Sequence, residues 1–582
     1  MRGMLTATEV RQQLTGPGGM FEITTKEVEG RTLQVFKDRL PSLRSIPELA
    51  IMQGDEKPFI VYGDRTIGFQ TFVEAANGVA RAWKDRFGLR HGDRVAVLSQ
   101  NNPEWCLAFW ATVTNGAILV GLNGWWKSDE VGYGLQDSGA KILVADQKRF
   151  ERIAGSLDTA PDLEHVFLID CSPEDFPEAA KSGKLHRFDE LTQEPTATFV
   201  DTPIDEEDAA VIFYTSGTTG RPKGAVSTHR SMIANLQNTM FGAVASAMLG
   251  ADLLGGAGGG AAAPAQTVSL FTSPLFHVSG CHSTLVVGLL AGIKLVMPVG
   301  RFDPEQALEL IEKHQVTIWA TVPTMVWRVC EHPSRHDYDT SSVTAVAFGG
   351  SPSADELQRK VRETFPNVKA TSNAYGLTES SSVATSITGQ DAIDRPTSVG
   401  PPVPTVEIKI VDELDEEVPT GSTGEVCIYG PILMKEYWNK PEATAEAIRD
   451  GWLHTGDLGH VDADGFLYIT DRKKDMIIRG GENIYSVEIE NRLVEHPKVA
   501  DAAVIGVPHP SLGEEVKAVV QVEPGEALTE DEVRQWVGET LAQFKVPAYV
   551  VVQEDKLPRN ASGKLLKNVL RGSGDVSFDE TL

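Results

Sequence analysis

Tyr214-Thr215-Ser216-Gly217-Thr218-Thr219-Gly220-Arg221-Pro222-Lys223-Gly224 is the most informative stretch of this 582-residue sequence. An apolar run at 209–213 precedes it and reads as a buried strand. After it, Met232, Ile233, Leu236 and Met240 fall on one face of a predicted helix. A loop dense in glycine and hydroxyl groups lets backbone N–H and side-chain O–H groups converge on phosphate oxygens, and Lys223 adds a point charge. The G-x-x-x-x-G-K-[ST] spacing is absent, so this is not a Walker A loop. A Gly-rich turn alone would mean only a tight strand–helix connection. The order hydroxyl-Gly-hydroxyl-hydroxyl-Gly, followed by Pro-Lys, asks for more and reads as a phosphate-binding loop.

Outward from this loop the chain alternates strand and helix. Apolar strands are predicted at 95–98, 117–120, 142–145, 166–169, 295–297 and 317–321. Asn101 and Asn102 offer caps for a helix over 103–114, and Asp303-Pro304 opens another. Repeated βαβ units imply an α/β fold with mostly parallel sheet covered by helices on both faces. Beyond about residue 400 the texture turns β-rich, with strands at 425–429 and 466–470 joined by Gly- and Asp-rich turns. A small α+β segment follows, with strands near 502–505, 516–522 and 549–552. Its capping box, Thr529 to Glu532, opens a helix carrying Val533, Trp536, Val537 and Leu541. The expected division is an N-terminal domain over 1–471, including a β-rich subdomain at 400–471, and a C-terminal domain over 472–582. The stretch 241–265, with its GGAGGGAAAPA, is too rich in Gly and Ala for a firm element and reads as a mobile surface insertion.

Composition narrows the function. A formal charge of −28 argues against general nucleic-acid binding, while leaving room for a nucleotide in one local basic pocket. Cys106, Cys171, Cys281, Cys330 and Cys427 are scattered without a C-x-x-C pair, which argues against a disulfide framework or a zinc site. The start lacks the apolar core of a signal peptide, and the apolar run 285–293 is too short to span a bilayer. A cytoplasmic protein is expected, with at most transient membrane contact; a homodimer is compatible with the sequence.

Ser-Gly-Thr-Thr-Gly-Arg-Pro-Lys at 216–223 resembles the signature of the adenylate-forming superfamily: acyl-CoA synthetases, luciferases and peptide-synthetase adenylation domains. The family's other motifs follow in order over roughly residues 55 to 570, and the pattern is most similar to the fatty acyl-CoA ligases. Pro274-Leu275-Phe276-His277 resembles the segment whose His lies beside the substrate carboxylate and the ATP phosphates. Gly349-Gly350-Ser351-Pro352 resembles the segment lying against adenine. In Tyr375-Gly376-Leu377-Thr378-Glu379 the resemblance implies that Tyr375 stacks on adenine, Thr378 contacts a phosphate and Glu379 binds Mg²⁺, a hard cation suited to carboxylate and phosphate oxygens. Thr215 is a second implied metal contact, and Asn373 and Ile469 are implied nucleotide contacts. Asp457, in Trp452-Leu453-His454-Thr455-Gly456-Asp457, resembles the ribose clamp. Arg472 matches an Arg contacting ribose and phosphate, Lys474 the hinge, and Gly480-Gly481 the strand presented to coenzyme A. Lys564, in Pro558-Arg559-Asn560-Ala561-Ser562-Gly563-Lys564, matches the catalytic lysine.

The resemblance implies an ATP-, Mg²⁺- and coenzyme A-dependent ligase for a small-molecule carboxylic acid. Lys564 would bridge the acid and the α-phosphate, and rotation about Lys474 would then exchange it for Gly480-Gly481. Segment 278–290 and the residues around Asn373-Ala374 are expected to line the acyl pocket. Small residues there (Ser279, Gly280, Ala374) and the lack of a fixed cation point to a fatty or other bulky hydrophobic acid. The alternatives are a ligase for an aromatic or steroid-type acid, an acyl-AMP ligase serving a carrier protein, and a non-catalytic nucleotide-binding protein. Leu122-Asn123-Gly124-Trp125-Trp126 departs from the family's usual Asn followed by Pro.

Overall fold

The computed structural model describes residues 6–215, 221–249, 266–349, 355–369, 371–480, 482–559 and 565–572. Continuous apolar runs such as Ile142–Asp146 and His165–Ile169 have no polar face to give to water, so they pair in parallel beneath helices on both sides. They belong to a seven-stranded sheet whose spatial order is Lys223–Thr228, Ala209–Thr215, Ile118–Gly121, Arg94–Leu98, Ile142–Asp146, His165–Ile169 and Leu185–Arg187. A second, eight-stranded sheet runs Thr385–Ile387, Thr371–Tyr375, Ala345–Gly349, Ile318–Thr321, Val268–Leu270, Lys294–Met297, Pro58–Tyr62 and Arg65–Gly68. Pairing is parallel except at the hairpin edges 209–228, 371–387 and 58–68.

Helices Phe69–Asp85 and Pro103–Thr114 share one apolar cluster with strands of both sheets. Phe72, Trp83, Trp105, Phe109 and Trp110 meet Val95 and Leu119 of the first sheet and Ile60 and Leu295 of the second. A helix buried on every side carries no polar stripe, and in Pro103–Thr114 every residue but Glu104 is buried.

The β-rich part forms an antiparallel sheet of Glu407–Val411, Gly424–Tyr429, Trp452–Val461 and Ile448–Arg449, with Leu467–Arg472 paired to Trp452–Val461. After a four-residue connection, Ile477–Arg479 enters a different sheet. That last sheet comprises Glu482–Ile484, Ile477–Arg479, Gly513–Val522, Val499–His509 and Tyr549–Gln553, with helices Ser486–Val494 and Glu530–Gly538 against it.

Several readings need correction. The phosphate loop does not lead into a helix: Lys223–Thr228 first returns antiparallel to Ala209–Thr215, and the helix begins at His229. The short run Ala225 to Ser227 has an apolar strand's burial without strict alternation, so periodicity alone misses it. Residues 241–248 are the end of the helix His229–Met248, where Phe241 packs edge-on against Phe21 at 5.7 Å; residues 250–265 lie outside the described residues. Asn102 alone caps the helix Pro103–Thr114, through Trp105 N–H at 2.8 Å. Leu541 follows the helix Glu530–Gly538 rather than belonging to it. The N-terminal hairpin Ile23–Val28/Arg31–Phe36 was not predicted at all. It docks where Lys26 and Arg39 pair with Glu206, whose carboxyl is held down to about 2 by the Arg39 hydrogen bonds, despite burial, with Lys26 assisting.

At the end of Ile118–Gly121 the two sheets close on one another. A Cβ on Gly121 would overlap the Phe213 ring and lie 3.2 Å from the Phe276 Cα. Gly121→Ala is therefore expected to cost roughly 1–3 kcal/mol, read as a lower thermal unfolding midpoint. An unchanged midpoint would show that the contact between the sheets is slack here.

Candidate active site

The parallel strands point their carboxyl ends into a common crevice, the usual place for a ligand in an open α/β sheet. Thr215, Gly349 and Tyr375 each end a strand there, and the turn holding His277 follows Val268–Leu270. Sheet topology thus gathers residues that lie up to 160 positions apart.

One wall is a polar triad built around a buried carboxylate, with Tyr375 and Arg472 partly exposed. The Tyr375 hydroxyl donates to Asp457 Oδ2 at 2.7 Å, and Arg472 Nε lies 3.0 Å from Asp457 Oδ1. Asp457 is only 4% exposed. Burial, and after it the Asp457 charge, push the Tyr375 phenol well above its ordinary range, so it stays a donor. Each carboxylate oxygen keeps acceptor capacity for a further hydroxyl. Ile469 and Tyr375 pack on one apolar cluster with Val399, Ile410, Val426 and Leu467, giving a greasy floor beside the triad. Asn373 is buried on the strand Thr371–Tyr375, with its amide 3.4 Å from Ser398 O. Gly376 fits only as glycine, because a Cβ would collide with the Ser382 carbonyl. This wall suits a nucleoside: an aromatic face, an aliphatic floor, and a carboxylate–guanidinium pair for hydroxyls and phosphate.

The second wall centres on Tyr437. Its hydroxyl donates to Glu379 Oε1 at 2.7 Å, and Lys223 Nζ sits 5.1 Å from its ring centroid. Thr215 pairs with Lys223 across the hairpin. Thr378 and Glu379 form a 3₁₀ turn whose Glu379 carbonyl accepts Met434 N–H at 2.8 Å. The Glu379 carboxylate and the Thr215 hydroxyl are oxygen donors of the kind that fits Mg²⁺, and the Lys223 ammonium is suited to phosphate oxygens. Sequence reasoning overlooked Tyr437; no motif marks it, because it acts through residues 58 and 214 positions away.

His277 caps a short turn, its Nδ1 lying 3.1 Å from Ser279 Oγ. Asn101 pins that turn: its amide donates to Ser273 O at 2.8 Å and its carbonyl accepts Leu275 N–H at 2.9 Å. Segment 278–290 does not simply line a pocket. Val278, Cys281, Leu285, Val286 and Leu289 face the shared core, and a Cβ on Gly280 would collide with the Pro274 carbonyl, so its smallness is used in packing. Ser283 turns the other way, bonding Ser382 Oγ at 2.6 Å. Trp126 is core, edge-on to Tyr214 at 5.5 Å, whereas half-buried Trp125 lies edge-on to Phe276 at 5.5 Å, one residue before His277.

Lys474 is exposed between the two last sheets, and Gly480 ends Ile477–Arg479, its N–H bonded to Leu512 O. Ser216, Gly217, Thr218, Thr219, Gly220, Gly350, Ser351, Pro352, Gly481 and Lys564 lie outside the described residues.

If Tyr437 aims the Glu379 carboxylate, Tyr437→Phe should raise the Mg²⁺ concentration for half-maximal activity about three- to tenfold, the worth of one charge-assisted hydrogen bond. Coincident Mg²⁺ titrations would exclude that role.

The sequence pattern of AMP-binding enzymes matches residues 48–438, and that of the AMP-binding enzyme C-terminal domain matches 488–564. A feruloyl-CoA synthase of Amycolatopsis sp is 34% identical, covering 86% of this chain and 93% of the relative. A long-chain-fatty-acid–CoA ligase of Bacillus subtilis (strain 168) is 33% identical over 91% of this chain and 94% of its own. The crystal structure of the anthranilate CoA ligase AuaEII in complex with anthranoyl-AMP superposes with a TM-score of 0.80 at 26% identity, covering 91% of this chain and 96% of that one. The crevice, the aromatic–carboxylate–guanidinium wall and these likenesses along nearly the whole length agree, and the chain belongs to the AMP-binding, adenylate-forming enzymes, among their acyl- and aryl-CoA ligases.

Proposed function

We propose that this ligase activates a hydrophobic carboxylic acid, a fatty acid first among them, as its acyl-adenylate and transfers the acyl group to coenzyme A. In the first step a carboxylate oxygen attacks the α-phosphorus of ATP and the bond to pyrophosphate breaks. In the second the thiol sulfur attacks the acyl carbon and AMP leaves. The observation that carries the reading is the Tyr375–Asp457–Arg472 triad beside the Glu379–Tyr437–Lys223 group, the two joined by the short segment from Tyr375 to Glu379 and by the apolar cluster that Tyr375 and Tyr437 share. Little covalent chemistry is asked of the protein, so its residues act by placement and charge. Tyr375 and Ile469 hold the base, Asp457 the ribose, and Lys223, Thr215 and Thr378 the phosphates. Mg²⁺ bound at Glu379 supplies charge neutralisation on the phosphate oxygens. His277 and Lys564 orient the carboxylate against the α-phosphate.

The preference for an uncharged acyl group rests on residues 278–290, which contain no Lys or Arg. Their one titratable imidazole, His282, is lowered to about 4 by burial, against a partly opposing bond to Ser381 O, and so is neutral near pH 7. The edge-on pair Trp125–Phe276 beside His277 favours a second reading, an aromatic acid stacked there. The five free cysteines support a reducing, cytoplasmic setting.

Acid-dependent AMP release with coenzyme A, across saturated C6 to C18 acids, hydroxycinnamates and benzoates, separates the readings. Fatty acids should give the highest kcat/KM. A hydroxycinnamate or benzoate optimum would transfer the assignment to an aryl-CoA ligase, and AMP release without thioester would remove coenzyme A as acceptor.

The domain boundary lies at 471/472 on this reading, with the hinge at Lys474. Proline fixes φ near −65° and deletes a backbone donor. Lys474→Pro should keep acid-dependent pyrophosphate release while losing most thioester formation, whereas Lys474→Ala should be mild in both. A folded proline variant forming thioester at the parental rate would overturn the hinge assignment.

A further inference from the structure

Asp457 does not reach the crevice by regular strand geometry. Where Gly424–Tyr429 pairs with Trp452–Val461, Glu425 stands opposite Leu458 and Cys427 opposite His454, so residues 455–457 are squeezed out opposite Val426. Such a bulge re-aims a side chain at the cost of leaving backbone groups without their ladder partners. Gly456 adopts φ +69°, a left-handed conformation that glycine takes without penalty. Side chains and the next strand then satisfy the bulge group by group. Thr455 Oγ1 donates to Val426 O at 2.7 Å, and Asp457 N–H donates to Thr455 Oγ1 at 3.1 Å. Lys473 N–H donates to Gly456 O at 2.9 Å. The Gly456 N–H is taken by Glu425 Oε1 at 3.0 Å, and the other oxygen of that carboxylate holds Lys473 Nζ at 3.1 Å.

We infer that Glu425 is a positioning residue for Asp457. It is 7% exposed, and its two carboxylate oxygens are engaged by Gly456 N–H and Lys473 Nζ. Its carboxylate ties together three segments: its own strand, the bulge that ends in Asp457, and Lys473, which adjoins Arg472. Asp457 and Arg472 are themselves ion-paired, so one buried carboxylate fixes both members of the pair through their chain neighbours. Buried charge of this kind is costly unless fully partnered, and here both oxygens are partnered. The surroundings complete the cluster. His454 Nδ1 lies 3.6 Å from Glu425 Oε2, 3.8 Å from Asp415 Oδ1 and 3.5 Å from Cys427 Sγ, and Arg449 pairs with Asp415 at 2.9 Å. Burial, with the Glu425 charge behind it, pushes the Cys427 thiol up to about 12, so the cysteine is a neutral wall of the cluster rather than a nucleophile.

The inference rests on the reading of Asp457 as the ribose holder and gives it a readout that general damage would not move. The measurement is kcat/KM for ATP divided by kcat/KM for 2′-deoxy-ATP, in acid-dependent pyrophosphate release, for the full chain and its variants. Glu425→Gln keeps an acceptor for Gly456 N–H but loses the charge that holds Lys473. It should lower the ATP preference at least about fivefold, the worth of a hydrogen bond of roughly 1 kcal/mol, with KM for ATP rising more than kcat falls. Lys473→Met, at a half-exposed side chain, should shift the ratio the same way by less. Asp457→Asn must lose the preference. If it keeps the preference, the ribose assignment fails and the inference falls with it. If Asp457→Asn loses it and Glu425→Gln keeps the parental ratio, the positioning role alone is overturned. Should Glu425→Gln fail to fold, Lys473→Met decides, and a parental ratio there overturns the role as well.

Discussion

A parallel sheet must be covered on both faces, and this chain builds two of them around one shared apolar layer. Helices Phe69–Asp85 and Pro103–Thr114 cover the inner faces of both at once. Sharing the layer saves material but removes freedom. Once the helices are seated, the sheets cannot slide without exposing Trp83, Trp105 and Trp110, all wholly buried. Their strand ends therefore open towards one another, and the crevice is a consequence of the core rather than an addition to it. Gly121, caught between Phe213 of its own sheet and Phe276 of the loop leaving the other, marks how closely the two approach.

Polar groups at the edge of that layer are tied to the loops around the site, and its buried imidazoles are kept neutral. Asn101 uses both halves of its amide on the loop carrying His277. Ser381, at φ +48°, bonds Ser227 and Ser231 through its hydroxyl, and its carbonyl faces His282. His282 stacks on Phe213 at 5.3 Å, and burial holds its imidazole neutral, as it does His229 under the N-terminal segment. These contacts bind the turn after Tyr375-Gly376-Leu377-Thr378-Glu379 to the hairpin that carries the phosphate loop. Backbone strain at Ser381 and Ser382 is thus sustained by hydrogen bonds at the back of the site, where displacing any one partner would leave another buried and unpaired.

What could be read in advance follows the range of the interactions. The capping box at Thr529 and Glu532 and the Asp303 cap lie within one helical turn of their partners, and both were legible in the sequence. Strands of the parallel sheets were legible because burial on both faces leaves an unbroken apolar run. Motif residues such as Tyr375, Asp457 and Arg472 were legible through resemblance, yet their mutual contacts were not, since one is a side-chain bond between two sheets across 82 residues and the other follows from strand pairing across 15. Glu425 and Tyr437 were missed for the same reason. Each is an ordinary residue in an ordinary strand or loop until the chain brings its partner round. The strand Lys223–Thr228 escaped because so short a run, ending at a helix N-cap, carries no period of its own.

A protein of net charge −28 that takes a polyphosphate must solve a local electrostatic problem. Its two described cations at the crevice do so without a strong local excess of positive charge. Lys223 rests on the face of Tyr437, a partner far weaker than a phosphate oxygen, and Arg472 rests on Asp457. An arriving nucleotide can draw Lys223 from the ring at little loss. Arg472 has five donors and spends one on Asp457 Oδ1, so its guanidinium can add a phosphate without abandoning the carboxylate. The negative charges nearest the site are similarly occupied, Glu379 by Tyr437 and Asp457 by Tyr375 and Arg472. Tyrosine hydroxyls on both carboxylates hold them in place while leaving each with acceptor capacity, so these two groups are set in position in advance and little reorganisation is asked of them.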